Sequence, residues 1–154
     1  MGAHFVKPGA AGLLILLTLT PGCLTPSLPS EGICTGTFLA PVARVVDGDT
    51  LDAAGCGRVR LALVDSPERG EAGFEEATGF TNATCPVGGE ATWRRDAGQP
   101  TDTTGTRMVA VVECGGVNLN AALLDAGHAR FLPQFCAVSA FAGEEWARPH
   151  CRGA

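Results

Sequence analysis

The chain is predicted to fold as one α+β domain, a small mixed β-barrel with helices packed on its outside. Three observations carry that expectation. Between residues 37 and 63, β-branched and apolar residues gather in three short runs separated by turn signals; downstream, helical patterns alternate with two more strand patterns; and six cysteines are spread through the same stretch. A length of 154 residues suits a single core, and a composition of 45% hydrophobic against 18% charged residues is too apolar for a disordered chain.

The runs TFLAPVARVV, TLDA and RVRLALV read as a three-stranded meander, turned at Asp47-Gly48-Asp49 and again at Ala54-Gly55-Cys56-Gly57. Residues 71–83 carry acids early and set Phe74, Ala77 and Phe80 at helical spacing before Cys85-Pro86 ends the segment. Strands fit 90–94 and 108–114, with the polar stretch DAGQPTDTTG between them. A helix fits 118–126, closed by Gly127, and Ser139 is placed to cap a last helix over 139–148.

Residues 1–22 read as a signal peptide and 23–33 as a linker, leaving 34–154 as the domain. The apolar run AAGLLILLTLT at 10–20 is too short to span a bilayer, follows Lys7, and is bracketed by Pro8 and Pro21. Two readings of its end stay open. Gly22-Cys23 suits a lipoprotein signal whose lipidated Cys23 would anchor the mature chain to a membrane, and simple cleavage nearby suits a secreted protein. The Pro- and Ser-rich LTPSLPSEGI that follows has no period and reads as an extended spacer.

Setting Cys23 aside leaves six cysteines with no C-x-x-C pair, the arithmetic of three disulfides in an exported chain. Position about the hairpins pairs neighbours along the chain: Cys34 with Cys56, Cys85 with Cys114, and Cys136 with Cys151. A zinc site built from Cys136, His150 and Cys151 is a minor alternative.

The full chain has 11 Lys plus Arg against 16 Asp plus Glu, a formal charge of −5. Lys7 is its one lysine, so without residues 1–22 ten arginines face 16 acids, a charge of −6. That excludes a broadly basic nucleic-acid surface and leaves local arginine sites for anions. His128 and His150 read as packed or surface histidines, Trp93, Trp146, Phe131, Phe135 and Phe141 as packing residues, and Arg94-Arg95 as a solvated pair.

Two motifs carry chemistry. Asp47-Gly48-Asp49-Thr50 is first of all a hairpin turn, and RLALVDSPE is a strand running into a Pro turn. Together they offer paired carboxylates as hard oxygen ligands for a calcium-like cation, an arginine fork for phosphate, and a glutamate able to take a proton from water.

With VVDGDTLDA, RVRLALVDSPE, EATGFT, a D-x-x-G hairpin with an arginine, and GVNLNAALLDAGHA in this order, residues 40–130 resemble the staphylococcal nuclease (thermonuclease) family. The resemblance implies a five-stranded OB-fold barrel with about three helices, monomeric, hydrolysing phosphodiester bonds in DNA or RNA with Ca²⁺. Carried over by position, it implies that Asp49, Asp65 and the Ser66 carbonyl hold the metal. Arg60 and Arg107 bind phosphate, and Glu68 activates water. The chain departs from the family at Gly105-Thr106-Arg107, where an extra residue precedes the arginine, and it has no tyrosine. Since a one-residue slip turns a strand side chain to the other face, either Thr106 or Arg107 could hold the arginine position. The slip is what favours the alternative, a catalytically degenerate barrel serving as a surface binding module. In a third reading the two motifs are turns of a disulfide-rich domain.

Overall fold

The computed structural model describes residues 34–152, with Met1 and Gly2. The signal peptide, Cys23 and the linker lie almost wholly outside the described residues. Among those described, no helix is long and apolar enough to cross a membrane.

Five strands close a barrel. β1 (Thr37–Val45), β2 (Thr50–Ala53) and β3 (Gly57–Leu61) form the expected antiparallel meander; β5 (Glu90–Arg95) pairs with the other edge of β1, and β6 (Met108–Cys114) pairs with β5. A parallel ladder between β3 and β6, with Val59 opposite Met108 and Leu61 opposite Ala110, joins the two ends. Closure leaves the barrel no open edge there, and its inside fills with Val42, Leu51, Val59, Leu61, Trp93 and Val112, all at most 1% exposed. The Trp93 indole N–H finds its acceptor on Ala40.

Two short strands, β4 (Val64–Asp65) and β8 (Arg130–Phe131), pair beside the barrel, and β7 (Val117–Asn118) extends β6. Helix α1 (Phe74–Thr84) follows the DSPE turn. Helix α2 (Leu119–Asp125) is capped by the Asn118 side chain and tied to the barrel through buried Asn120, which accepts from Val112 N–H and donates to Ala62 and Ala110.

The expected strand over 58–64 is broken at Ala62–Leu63, where Leu63 takes φ 61°, a left-handed conformation costly for a side-chain-bearing residue. Nearby polar groups hold it there: Arg60 Nη1 donates to the Leu61 and Val64 carbonyls, and Leu132 N–H donates to Leu63. The expected helix over 139–148 is replaced by turns, and α3 spans only Arg148–Cys151. Its predicted cap, Ser139, instead donates its hydroxyl to buried Asp96, which also receives Ala140 N–H.

All three disulfides join the expected neighbours, Cys34–Cys56, Cys85–Cys114 and Cys136–Cys151. Cys136 and Cys151 are therefore unable to ligate zinc, and His150 stacks on Phe131. Three disulfides place the folded chain in an oxidising, non-cytoplasmic compartment. Arg94 is not a solvated residue: its guanidinium makes two bonds to Glu144 at 2.6 and 3.1 Å, meets Glu113 at 3.2 Å and lies over the Phe141 ring.

Candidate functional site

The turn between β1 and β2 lies against the turn that follows β4. A Cβ on Gly48 would sit 2.7 Å from Ser66 and 2.8 Å from Ala77, so glycine is required here by close approach. The Thr81 hydroxyl of α1 donates to the Gly48 carbonyl and fixes the same contact from the other side. These contacts carry Asp49 into the interior, 4% exposed, where its carboxylate accepts from Ser66 N–H at 2.6 Å and from the Thr50 hydroxyl at 3.1 Å.

Arg60 stands opposite Thr50 in the β2–β3 ladder and reaches both acids. Its Nη1 is 3.1 Å from Asp49 and its Nη2 2.6 Å from Asp65. Asp65 in turn stands opposite Arg130 in the β4–β8 ladder, and Arg130 closes on Asp65 Oδ2 through Nη2 at 2.6 Å and Nε at 2.8 Å. The result is one chain of alternating charge, Asp49–Arg60–Asp65–Arg130, running from the interior to the surface.

Burial dominates the electrostatics of Asp49. It pushes the carboxyl up to about 6, against the opposing pull of the Arg60 guanidinium and the Ser66 N–H. Asp49 and Asp65, spanned by one guanidinium, offer the oxygen donors a hard cation takes, with water to complete its shell. Among the described residues no group of three or more His, Cys, Asp or Glu side chains converges to hold a metal unaided. Ser66 enters through its N–H, as donor to Asp49.

Arg107 stands just ahead of β6 and lines the same cleft as Arg60. Met108, the next residue, is opposite Val59 in the parallel ladder, and Arg107 Nη1 reaches the Thr50 hydroxyl at 3.4 Å. Thr106 is exposed and shares a 2.6 Å hydrogen bond with the Thr104 hydroxyl. Asp102 sets the arginine: its Oδ2 accepts Arg107 Nε at 2.7 Å, and its Oδ1 accepts the backbone N–H of Thr106 and Arg107. Burial would raise the Asp102 carboxyl, but the bonds from Arg107 and Thr104 prevail and hold it at about 2.

A cleft of about 300 Å³ gathers these groups, with Arg60, Asp65, Glu68, Asp102, Arg107 and Arg130 on its walls. A second concavity of about 530 Å³ adjoins it, sharing Asp65, Glu68 and Arg130 and adding Ser66, Glu71 and His128. Glu68 is exposed and faces both. Arg130 is absent from the sequence-predicted site, and Asp102 enters it only as the acid of the D-x-x-G hairpin, with no role assigned. Arg130 has no local signal, since only the short β4–β8 ladder sets it beside Asp65. Comparison with protein-family models and with curated proteins found no match to this chain.

Proposed function

We propose that the chain is an exported nuclease of the staphylococcal nuclease type, hydrolysing phosphodiester bonds in single-stranded DNA or RNA with Ca²⁺. The supporting observation is the convergence of Arg60, Arg107 and Arg130 with Asp65 and Glu68 around one cleft, with buried Asp49 behind it. An overall charge of −6 beyond residue 22 confines anion binding to that cleft and predicts weak nonspecific affinity that falls with salt.

Asp49, Asp65 and the Ser66 carbonyl would hold Ca²⁺, which supplies charge neutralisation at the phosphoryl oxygens. The chain's own residues do the rest. The guanidinium of Arg107, oriented through Nε by Asp102, presents its outer nitrogens to a phosphate, and Arg60 adds positive charge from the cleft floor. Glu68, on the exposed wall, takes a proton from the attacking water. The apolar run at 10–20 would direct export, after which the mature chain either carries a lipid on Cys23 or starts at a simple cleavage site, and the mass of the mature N-terminal peptide distinguishes them.

One observation favours the alternative, a binding module of the same barrel: Arg60 has both Nη groups committed to Asp49, Asp65 and two carbonyls. The test is incubation of the purified, disulfide-bonded protein with single-stranded DNA and with RNA, in Ca²⁺ and then in chelator. The nuclease cleaves at least one of them in Ca²⁺ alone. Retention of an oligonucleotide without cleavage of either would install the binding module in its place.

A further inference from the structure

Arg130 and Arg60 hold the same carboxylate in different ways. Arg60 is 12% exposed in its side chain and bound to Asp49, Asp65 and two carbonyls. Arg130 is 78% exposed, and Asp65 is its ion-pair partner among the described residues. A surface pair of this kind contributes little to stability, so the Arg130–Asp65 contact is easily exchanged.

The exchange has a direction set by acceptor capacity. A carboxylate oxygen has two lone pairs, and Asp65 Oδ2 spends both on the Nε–H and Nη2–H of Arg130. Oδ1 spends one on Arg60. A dication seeking both oxygens of Asp65 therefore meets a saturated Oδ2 and the repulsion of a guanidinium beside it. Arg60 cannot give way without stripping buried Asp49 of its countercharge; Arg130 can, because its head group is already in solvent at the junction of the two concavities.

We infer that Arg130 is an exchangeable cover on Asp65 that couples cation binding to phosphate binding, an inference that rests on the nuclease reading. A phosphate arriving at the junction draws the Arg130 guanidinium from Asp65, and the freed Oδ2 accepts the cation. Each ligand thereby removes the other's competitor, and by linkage the enhancement is reciprocal. Arg130 thus serves two partners in turn, the metal-site carboxylate when the cleft is empty and the substrate phosphate when it is full.

Calorimetric titration of Ca²⁺ into the full, disulfide-bonded chain, with and without an uncleavable phosphorothioate trithymidylate, tests this in wild type, Arg130→Gln and Arg130→Lys. In wild type the oligonucleotide tightens Ca²⁺ binding by about 5-fold or more. Arg130→Gln binds Ca²⁺ alone more tightly than wild type by a similar factor, and the oligonucleotide adds little. Arg130→Lys, which keeps the charge, stays nearer wild type, and thermal melts of all three coincide. Ca²⁺ binding in Arg130→Gln that is equal to or weaker than wild type, or an unchanged coupling, overturns the inference and leaves the nuclease reading standing. If no protein binds Ca²⁺ with or without the oligonucleotide, both fall.

Discussion

Of the three buried aspartates among the described residues, Asp49 at 4% exposure and Asp96 at 1% are the most enclosed, and the molecule uses them differently. Asp96, just past β5, collects the N–H groups of Gly98, Gln99 and Ala140 and the hydroxyl of Ser139. Every donor is neutral and tethered, and the loop is clamped so closely that a Cβ on Gly98 would lie 1.8 Å from the Val138 carbonyl. Asp49 has one backbone N–H, one hydroxyl and an arginine it shares with Asp65. A carboxylate saturated by fixed dipoles joins two segments of chain. One balanced by a shared, cleft-lining arginine keeps charge that a ligand can redistribute.

The largest effect expected from this contrast is that of Arg60→Ala. Steady-state cleavage of single-stranded DNA should fall about 10²–10³-fold or more, as when one oxyanion-type donor is removed. The melting temperature should fall with it, because buried Asp49 loses its countercharge. Arg107→Ala should lower cleavage by about 10²-fold and lower the melting temperature as well, since buried Asp102 loses the arginine that helps hold its carboxyl at about 2. A variant of Arg107 that cleaves normally would remove it from the reacting group and leave Arg60 alone.

Asp96→Ala comes next and should act on folding only. It orphans Ser139 and three backbone N–H groups where the 96–99 loop meets residues 138–140, a loss of about 3 kcal/mol by urea denaturation. Ca²⁺-dependent cleavage per folded molecule should be unchanged. A lower rate in the folded variant would mean that Asp96 reaches the cleft, and the distinction between the two aspartates would fail.

How much of this was legible in the sequence depends on the range of the contact. The meander, α1, α2 and the cysteine pairs follow local signals, namely alternation, turn residues and chain proximity. Asp49, Asp65, Arg60 and Glu68 were open to a local reading because they stand in two short motifs. What escaped depends on distant partners. Leu63 breaks its strand where Arg60, three residues before it, and the distant Asn120 and Leu132 hold the surrounding carbonyls, and the two distant partners leave no mark on the local pattern. Ser139 looks like a helix cap until Asp96, 43 residues earlier, claims its hydroxyl. Arg94 looks solvated until Glu144 arrives from 50 residues away. Gly48 reads as turn chemistry, yet its requirement comes from Ser66 and Ala77 pressing on it.

The smallest effect is the sharpest test of the contrast, and it is a change of sign with pH. Burial raises the Asp49 carboxyl from 3.8 to about 6, so the folded protein holds this proton more tightly than the unfolded chain does. For an acid shifted upward, ionisation costs folding stability: the cost is fully present above pH 6, shrinks through the interval, and is gone below 3.8. Asp49→Asn has no such charge to desolvate, although it gives up the pairing with Arg60. In calcium-free buffer at pH 8 the variant should therefore melt higher than wild type, by roughly 1 kcal/mol in stability. Its advantage should shrink as pH falls through 6 and be lost before pH 4 is reached. Added Ca²⁺ should reverse the order at pH 8, raising the wild-type melting temperature and leaving the variant unmoved. An Asp49→Asn protein less stable than wild type at pH 8 without calcium would put Asp49 with Asp96, as a carboxylate whose partners already satisfy it.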